Sequence, residues 1–102
     1  MNEQELYTLL ATTGLEVAYD HFKTPDKNPP FILYRSTEVN AFKADDKTYY
    51  KQNNYVVDLI TELKDPTTEA SLEAILEANN IAYDKECDFL EDERIYQTRY
   101  FL

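Results

Sequence analysis

The stretch that decides the fold is Thr48–Leu63, TYYKQNNYVVDLITEL, the longest β-like run in the chain. Its second half, Tyr55-Val56-Val57-Asp58-Leu59-Ile60, is rich in the β-branched and aromatic residues that fit a pleated surface. It holds no glycine or proline to interrupt a ladder. Apolar side chains fall on both parities, Tyr55, Val57 and Leu59 on one and Val56 and Ile60 on the other. A strand that is apolar on both faces is covered on both, so this reads as a central or interface strand.

Upstream of it, Phe31-Ile32-Leu33-Tyr34 is a second strand, also apolar on both faces. Between the two lies Ser36–Lys47 (STEVNAFKADDK), which could extend that strand through Val39 and end in a tight Ala44-Asp45-Asp46-Lys47 turn feeding Thr48. Lys43, Lys47, Lys51, Asn53 and Asn54 crowd this region with side chains that resist burial. The expectation is a long β-hairpin whose arm, residues 36–54, projects from the domain and stays mobile until something packs on it.

Further upstream, Val17-Ala18-Tyr19-Asp20-His21-Phe22 is a short first strand, separated from the next by a polar turn holding Pro25, Pro29 and Pro30. Residues 2–13 read as a helix: Asn2 caps it, Glu3 and Glu5 sit in the first turn where the dipole favours anions, and Leu6, Leu9 and Leu10 form one apolar stripe. Gly14, the only glycine, stands where a left-handed C-cap ends that helix.

Downstream, Asp65-Pro66 opens a second helix with a capping residue followed by proline at the first helical position. Leu72, Ile75 and Leu76 face the core, and Asn79-Asn80 ends the helix because asparagine tolerates the left-handed conformation. Ile81, Tyr83, Cys87 and Phe89 alternate with Ala82, Asp84, Glu86 and Asp88, the period of a half-buried strand. A Leu90–Glu93 turn leads to a last strand, Arg94–Leu102. The fold class is therefore α+β, a single domain over 1–102 in the order α-β-β-β-α-β-β. Hairpins joining strands 1–2, 2–3 and 4–5 predict a mainly antiparallel sheet with both helices packed on one face.

At 102 residues the chain supports one modest core, and a hydrophobic fraction of 43% argues against disorder. Nine tyrosines suit strand faces and subunit interfaces, because each packs its ring while the hydroxyl keeps a polar partner. The net charge of −10 is the wrong sign for gripping phosphates. It is also uneven: residues 1–51 hold 8 acids and 6 bases, and residues 52–102 hold 12 and 4. Such a field repels DNA and acidic membranes and favours basic protein partners or plain solubility. A single cysteine excludes an internal disulfide and points to a reducing, cytosolic setting. The start MNEQEL lacks the basic region and apolar core of a signal peptide, and no window is apolar enough to span a membrane.

No residue pattern announces catalysis. His21, the only histidine, lies 66 residues from the only cysteine, Cys87, and no cluster has the spacing of a zinc site. Cys87 falls on the apolar parity of its strand and is expected to be buried and inert. Asp45-Asp46 and Glu91-Asp92-Glu93 are consecutive and lack the glycine-punctuated spacing of a calcium loop, so they read as solvated turns. One glycine leaves no room for a phosphate-cradling loop. Glu69, Glu73 and Glu77 are more informative. Spaced by four, they form one helix stripe with no basic partner on that face, at a cost of a few tenths of a kcal/mol per pair. Solubility of the helix accounts for the stripe; a face held against a basic partner or lining an acidic cavity is the functional alternative.

Taken together, several stretches resemble a known family. They are Glu3-Gln4-Glu5-Leu6-Tyr7, Val17-Ala18-Tyr19 with His21-Phe22, Pro29-Pro30-Phe31-Ile32-Leu33-Tyr34, Ala44-Asp45-Asp46-Lys47 with Tyr49, Asn54-Tyr55, Lys64-Asp65-Pro66 and Tyr96-Gln97. The chain resembles the small Gram-positive phage and prophage morphogenesis proteins of the tail-terminator or head–tail joining type, also described as minor capsid proteins. The resemblance implies a structural, non-enzymatic protein without cofactor or metal. It implies a homohexameric ring at the head-proximal end of the tail tube that stops tube growth and joins tail to head. The implied partners are further copies of the chain, the major tail tube protein and a head-completion or connector protein, with DNA passing through without specific binding and no membrane contact. Localisation would be the host cytoplasm during assembly, then the head–tail junction of the virion. Phe42, Lys43, Asp45, Asp46, Lys47, Tyr49 and Tyr50 of the arm are the expected oligomer or partner interface, and Glu69, Glu73 and Glu77 an acidic face. The competing reading is a small acidic binding protein, a DNA-mimic inhibitor of a basic partner.

Overall fold

A computed structural model of the chain describes residues 2–20, 28–38 and 53–102. The elements follow the predicted order: α1 (Glu3–Ala11), β1 (Glu16–Tyr19), β2 (Phe31–Glu38), β3 (Asn53–Thr61), α2 (Pro66–Ala78), β4 (Asp84–Leu90) and β5 (Ile95–Phe101). The strands form one five-stranded sheet in the spatial order β1-β2-β3-β5-β4.

The helix ends are set by local chemistry. Asn2 Oδ1 accepts from the Glu5 backbone N–H at 2.8 Å, and Glu5 Oε1 accepts from the Asn2 N–H at 2.9 Å, a reciprocal capping box. Asp65 caps α2 in the same way, with Oδ1 accepting from Thr68 N–H and Oδ2 from the Thr68 hydroxyl. These bonds to Thr68, the side-chain one foremost, hold the Asp65 carboxyl below its ordinary range. At the other end of α2, Asn80 adopts a positive φ of 57°. Ile81 N–H then donates back to Leu76 O at 2.9 Å and Asn80 N–H to Glu77 O at 3.1 Å, the two bonds of a Schellman motif. Gly14, with φ of 84°, turns the chain out of α1 towards β1.

β3 is the middle strand and Tyr55–Thr61 is buried along its whole length. The register places Ile32 beside Leu59, Tyr34 beside Val57, and Tyr100 beside Val57 on its other flank. By alternation these side chains share one face, and both helices pack on it: Leu6 and Leu10 from α1, Leu72 and Leu76 from α2. All four leucines are fully buried, and each such side chain contributes about 1.5–3 kcal/mol relative to exposure.

Two expectations need correcting. β1 and β2 run parallel, with Val17 beside Ile32 and Tyr19 beside Tyr34, so they are not a hairpin. β1 ends at Tyr19 and β2 begins at Phe31, a separation longer than a tight hairpin turn, as a parallel pair requires. The sheet is therefore mixed, with three antiparallel pairings and one parallel. Secondly, β4 is not half-buried: Asp84 through Phe89 are exposed, Cys87 included. β4 is the last strand on its side, and apolar cover stops at β5, where Thr98 and Tyr100 are fully buried. Alternation along an edge strand chooses a face but does not bring a covering layer.

The stem of the expected hairpin is present, with β2 and β3 paired out to Glu38 and Asn53. The arm's tip, with Phe42, Lys43, Asp45, Asp46, Lys47, Tyr49 and Tyr50, lies outside the described residues, as does His21.

Candidate functional site

The glutamate stripe of α2 has partners, contrary to the sequence reading. Lys64 Nζ, just before the helix, donates to Glu69 Oε2 at 2.7 Å. Lys85 Nζ, reaching from β4, lies 2.9 Å from Glu69 Oε1 and 2.6 Å from Glu73 Oε2. Tyr100 from β5 donates its hydroxyl to Glu73 Oε2 at 2.8 Å, and Tyr83 donates its hydroxyl to Glu77 Oε2 at 2.9 Å. Three elements thus converge on one helix face, and two lysines balance Glu69 and Glu73. Lys64 and Tyr83 lie just outside the helix ends, within local reach of Glu69 and Glu77, whereas Lys85 and Tyr100 come from β4 and β5 and were invisible in sequence. The one available signal was the parity of β4 and β5, which puts Tyr83, Lys85 and Tyr100 on the face that receives α2.

Burial is uneven along the stripe. Glu69 is 4% exposed, Glu73 half-buried and Glu77 exposed. For Glu69, desolvation is the largest single influence and opposes the charge, but the hydrogen bonds from Lys64 and Lys85 together outweigh it and hold the carboxyl below its ordinary range. Lys85 is held well above the ordinary lysine range by its bonds to Glu73 and Glu69. Lys64 is raised likewise by Glu69. Burial, then the bond to Glu73, pushes the Tyr100 phenol far up, so it stays a proton donor to that carboxylate. Chemically this is a strut: the lysines and the Tyr100 hydroxyl donate to the α2 carboxylates, and the assembly ties the edge strand to the helix.

Cys87 Sγ sits beside it, 3.6 Å from Lys64 Nζ and 3.5 Å from Thr98 Oγ1. Among the described residues no group of histidine, cysteine and acidic side chains is placed to hold a metal ion. Glu91, Asp92 and Glu93 are exposed in the β4–β5 turn.

The opposite face of the sheet carries a second polar pair. Arg99 Nε donates to Asp58 Oδ1 at 2.8 Å across the β3–β5 pairing, which lifts the guanidinium further above its ordinary value. Val56 and Ile60 flank Asp58 on that face and are almost fully buried. No described helix packs there.

Both edges of the sheet carry exposed aromatic rings. Beside β1, Tyr19 packs edge-on against Tyr34 with ring centres 5.2 Å apart, and Tyr7 of α1 lies 6.3 Å from the same ring. Tyr7 and Tyr19 are 41% and 44% exposed. On β4, Phe89 packs against Tyr96 at 4.9 Å and is 48% exposed.

No family model, no curated protein and no solved structure matches this chain. No helix among the described residues is long and apolar enough to cross a membrane.

Proposed function

We propose that this chain is a structural assembly protein that works as a ring of identical copies, a collar at the head-proximal end of a long phage tail that stops tube growth and joins tail to head. The observation that carries the reading is the pair of aromatic edges. β1 with Tyr7 and Tyr19 and β4 with Phe89 are different surfaces at opposite ends of the sheet. A contact between unlike surfaces is heterologous, and repeated by a rotation that closes on itself it generates a ring. Partly exposed aromatics are the side chains such contacts favour. The resemblance over the α1, β2 and α2 starts supports the same reading and supplies the further partners, a tail tube protein and a head connector. The acidic balance suits a channel along which DNA slides without sticking. Tyr55–Thr61 of β3 is buried within one copy, so the sheet edges and not that stretch supply the contact.

The DNA-mimic alternative rests on the acidic balance of residues 52–102 and on the glutamate stripe, and the stripe gives it less support than the sequence suggested. Glu69 and Glu73 face Lys64, Lys85 and Tyr100 of their own chain, so they are not presented to a basic partner.

Light scattering coupled to size exclusion, over a concentration series and with tail tube protein added, tests the proposal. Ring-sized particles are expected, and Tyr7→Glu and Phe89→Glu should each remove them while the melting temperature holds. A chain that remains monomeric under every condition, or variants that assemble as the wild type does, would overturn it.

A further inference from the structure

β4 is the longer of the two sheet edges, Asp84–Leu90 against the four residues of β1, and among the described residues it pairs with β5 alone. Its register with β5 is unbroken from Asp84 to Leu90, with no bulge and no proline. Edge strands are commonly blunted by shortness, proline, bulges or lysine, because their outward N–H and C=O groups are a template for a further strand. The one lysine of β4, Lys85, turns its Nζ onto Glu69 and Glu73 of α2. Asp84 through Phe89 are all exposed, so the outward row of backbone groups stands open along the strand.

Acids are the remaining guard, and a selective one. Lys85 reaches the α2 face, so by alternation Asp84, Glu86 and Asp88 project together from the other face. None of the three forms an ion pair or side-chain hydrogen bond among the described residues. The base directly across from Glu86, Arg99, is bonded to Asp58. Antiparallel pairing of two β4 strands sets these acids against one another, and like charges facing across a pair of strands destabilise it. A strand with lysine or arginine at every second residue meets them with the opposite charge, drawn in by a chain whose net charge is −10.

We infer that the open edge of β4 is a strand-addition site for an extended segment of a partner protein that carries lysine or arginine at alternate positions. The segment's backbone extends the ladder, and its bases face Asp84, Glu86 and Asp88. Each exposed charge pair contributes little, so the backbone bonds hold the strand and the three pairs together choose the partner. The site goes beyond the ring contact and does not depend on it: Phe89 projects with Lys85 on the α2 face, whereas the bases lie on the other.

Amide NMR titration of the full chain at neutral pH and about 0.15 M salt tests it. The probes are acetyl-Thr-Lys-Thr-Lys-Thr-Lys-Thr-amide, its glutamate counterpart, a counterpart with the lysines clustered at one end, and the alternating lysine peptide N-methylated at every residue. Saturable shifts and slowed amide exchange confined to β4 are expected with the alternating lysine peptide. Binding should be weaker with the clustered peptide and absent with the glutamate and N-methylated ones. Asp84→Asn with Glu86→Gln and Asp88→Asn should weaken binding by about three- to a hundredfold, the loss of three facing charge pairs. Glu91→Gln with Asp92→Asn and Glu93→Gln removes as much charge from the neighbouring turn and should leave binding within about twofold. Glu86→Lys alone should also weaken it, and serves if the first triple variant is unstable. Tyr7→Glu alters the other edge and should bind as the wild type does, so failure of the ring and failure of this site are read separately. Equal binding of the glutamate, clustered or N-methylated peptide, shifts at β1 in place of β4, no saturation, or unchanged affinity in both β4 variants would each overturn the inference.

Discussion

Lys85 Nζ on the edge strand β4 lies 2.9 Å from Glu69 Oε1 on α2, joining the most exposed strand of the sheet to a carboxylate that is almost fully buried. β4 contributes little apolar area to the core, so this contact and its neighbour to Glu73 are what hold the strand against the helix. The charge stripe of α2 is a tether between elements.

Glu69 and Glu77 should therefore respond differently to the same substitution. Glu69→Gln leaves Lys64 without its carboxylate and Lys85 with Glu73 alone, and is expected to cost about 1–3 kcal/mol; the figure is below that of a fully buried pair because both lysines reach solvent. Glu77→Gln, at an exposed position where the carboxylate accepts from the Tyr83 hydroxyl, should stay within about 0.5 kcal/mol. Urea midpoints of the two variants check this, and equal shifts would mean that burial of Glu69 is not decisive.

The same network sets a pH window. Glu69 titrates below its ordinary value of 4.5 when folded, so its contribution is complete above that value and is lost as pH falls through the lowered folded value. Lys85 titrates above its ordinary 10.5, so its contribution is complete below that value and is lost as pH rises beyond it. Tyr100, also raised from 10.0, works in the same alkaline direction. Denaturation followed from acid to alkaline pH should show a plateau between the two limits. In Lys85→Met the fall at the alkaline end should be shallower.

Leu76 is fully buried, and its carbonyl accepts the Ile81 N–H that closes α2. Leu76→Ala should cost about 2–5 kcal/mol through lost transfer energy and the cavity left behind. An unchanged denaturant midpoint would show that the α2 face packs differently.

Thr61 Oγ1 is buried with no hydrogen-bond partner among the described residues. Thr61→Val keeps the shape and removes the unsatisfied hydroxyl, so it should be neutral or stabilise by up to about 1–3 kcal/mol. A lower melting temperature would reveal a partner for that hydroxyl.

What the sequence by itself determined is everything with a local cause. The caps at Asn2 and Asp65, the left-handed positions at Gly14 and Asn80, the order of seven elements and the two-sided burial of Tyr55–Ile60 all follow from residues within a few positions of one another. Tertiary structure alone decided the rest. A four-residue strand carries no record of its direction, so only the path of the chain makes β1 parallel to β2. Alternation in β4 marks a face but cannot say that the core ends one strand earlier, which is why Cys87 is exposed. Nor can a stripe of glutamates show that Lys85 and Tyr100 reach it from β4 and β5. Pairing between charges depends on distance in space, and distance along the chain does not encode it.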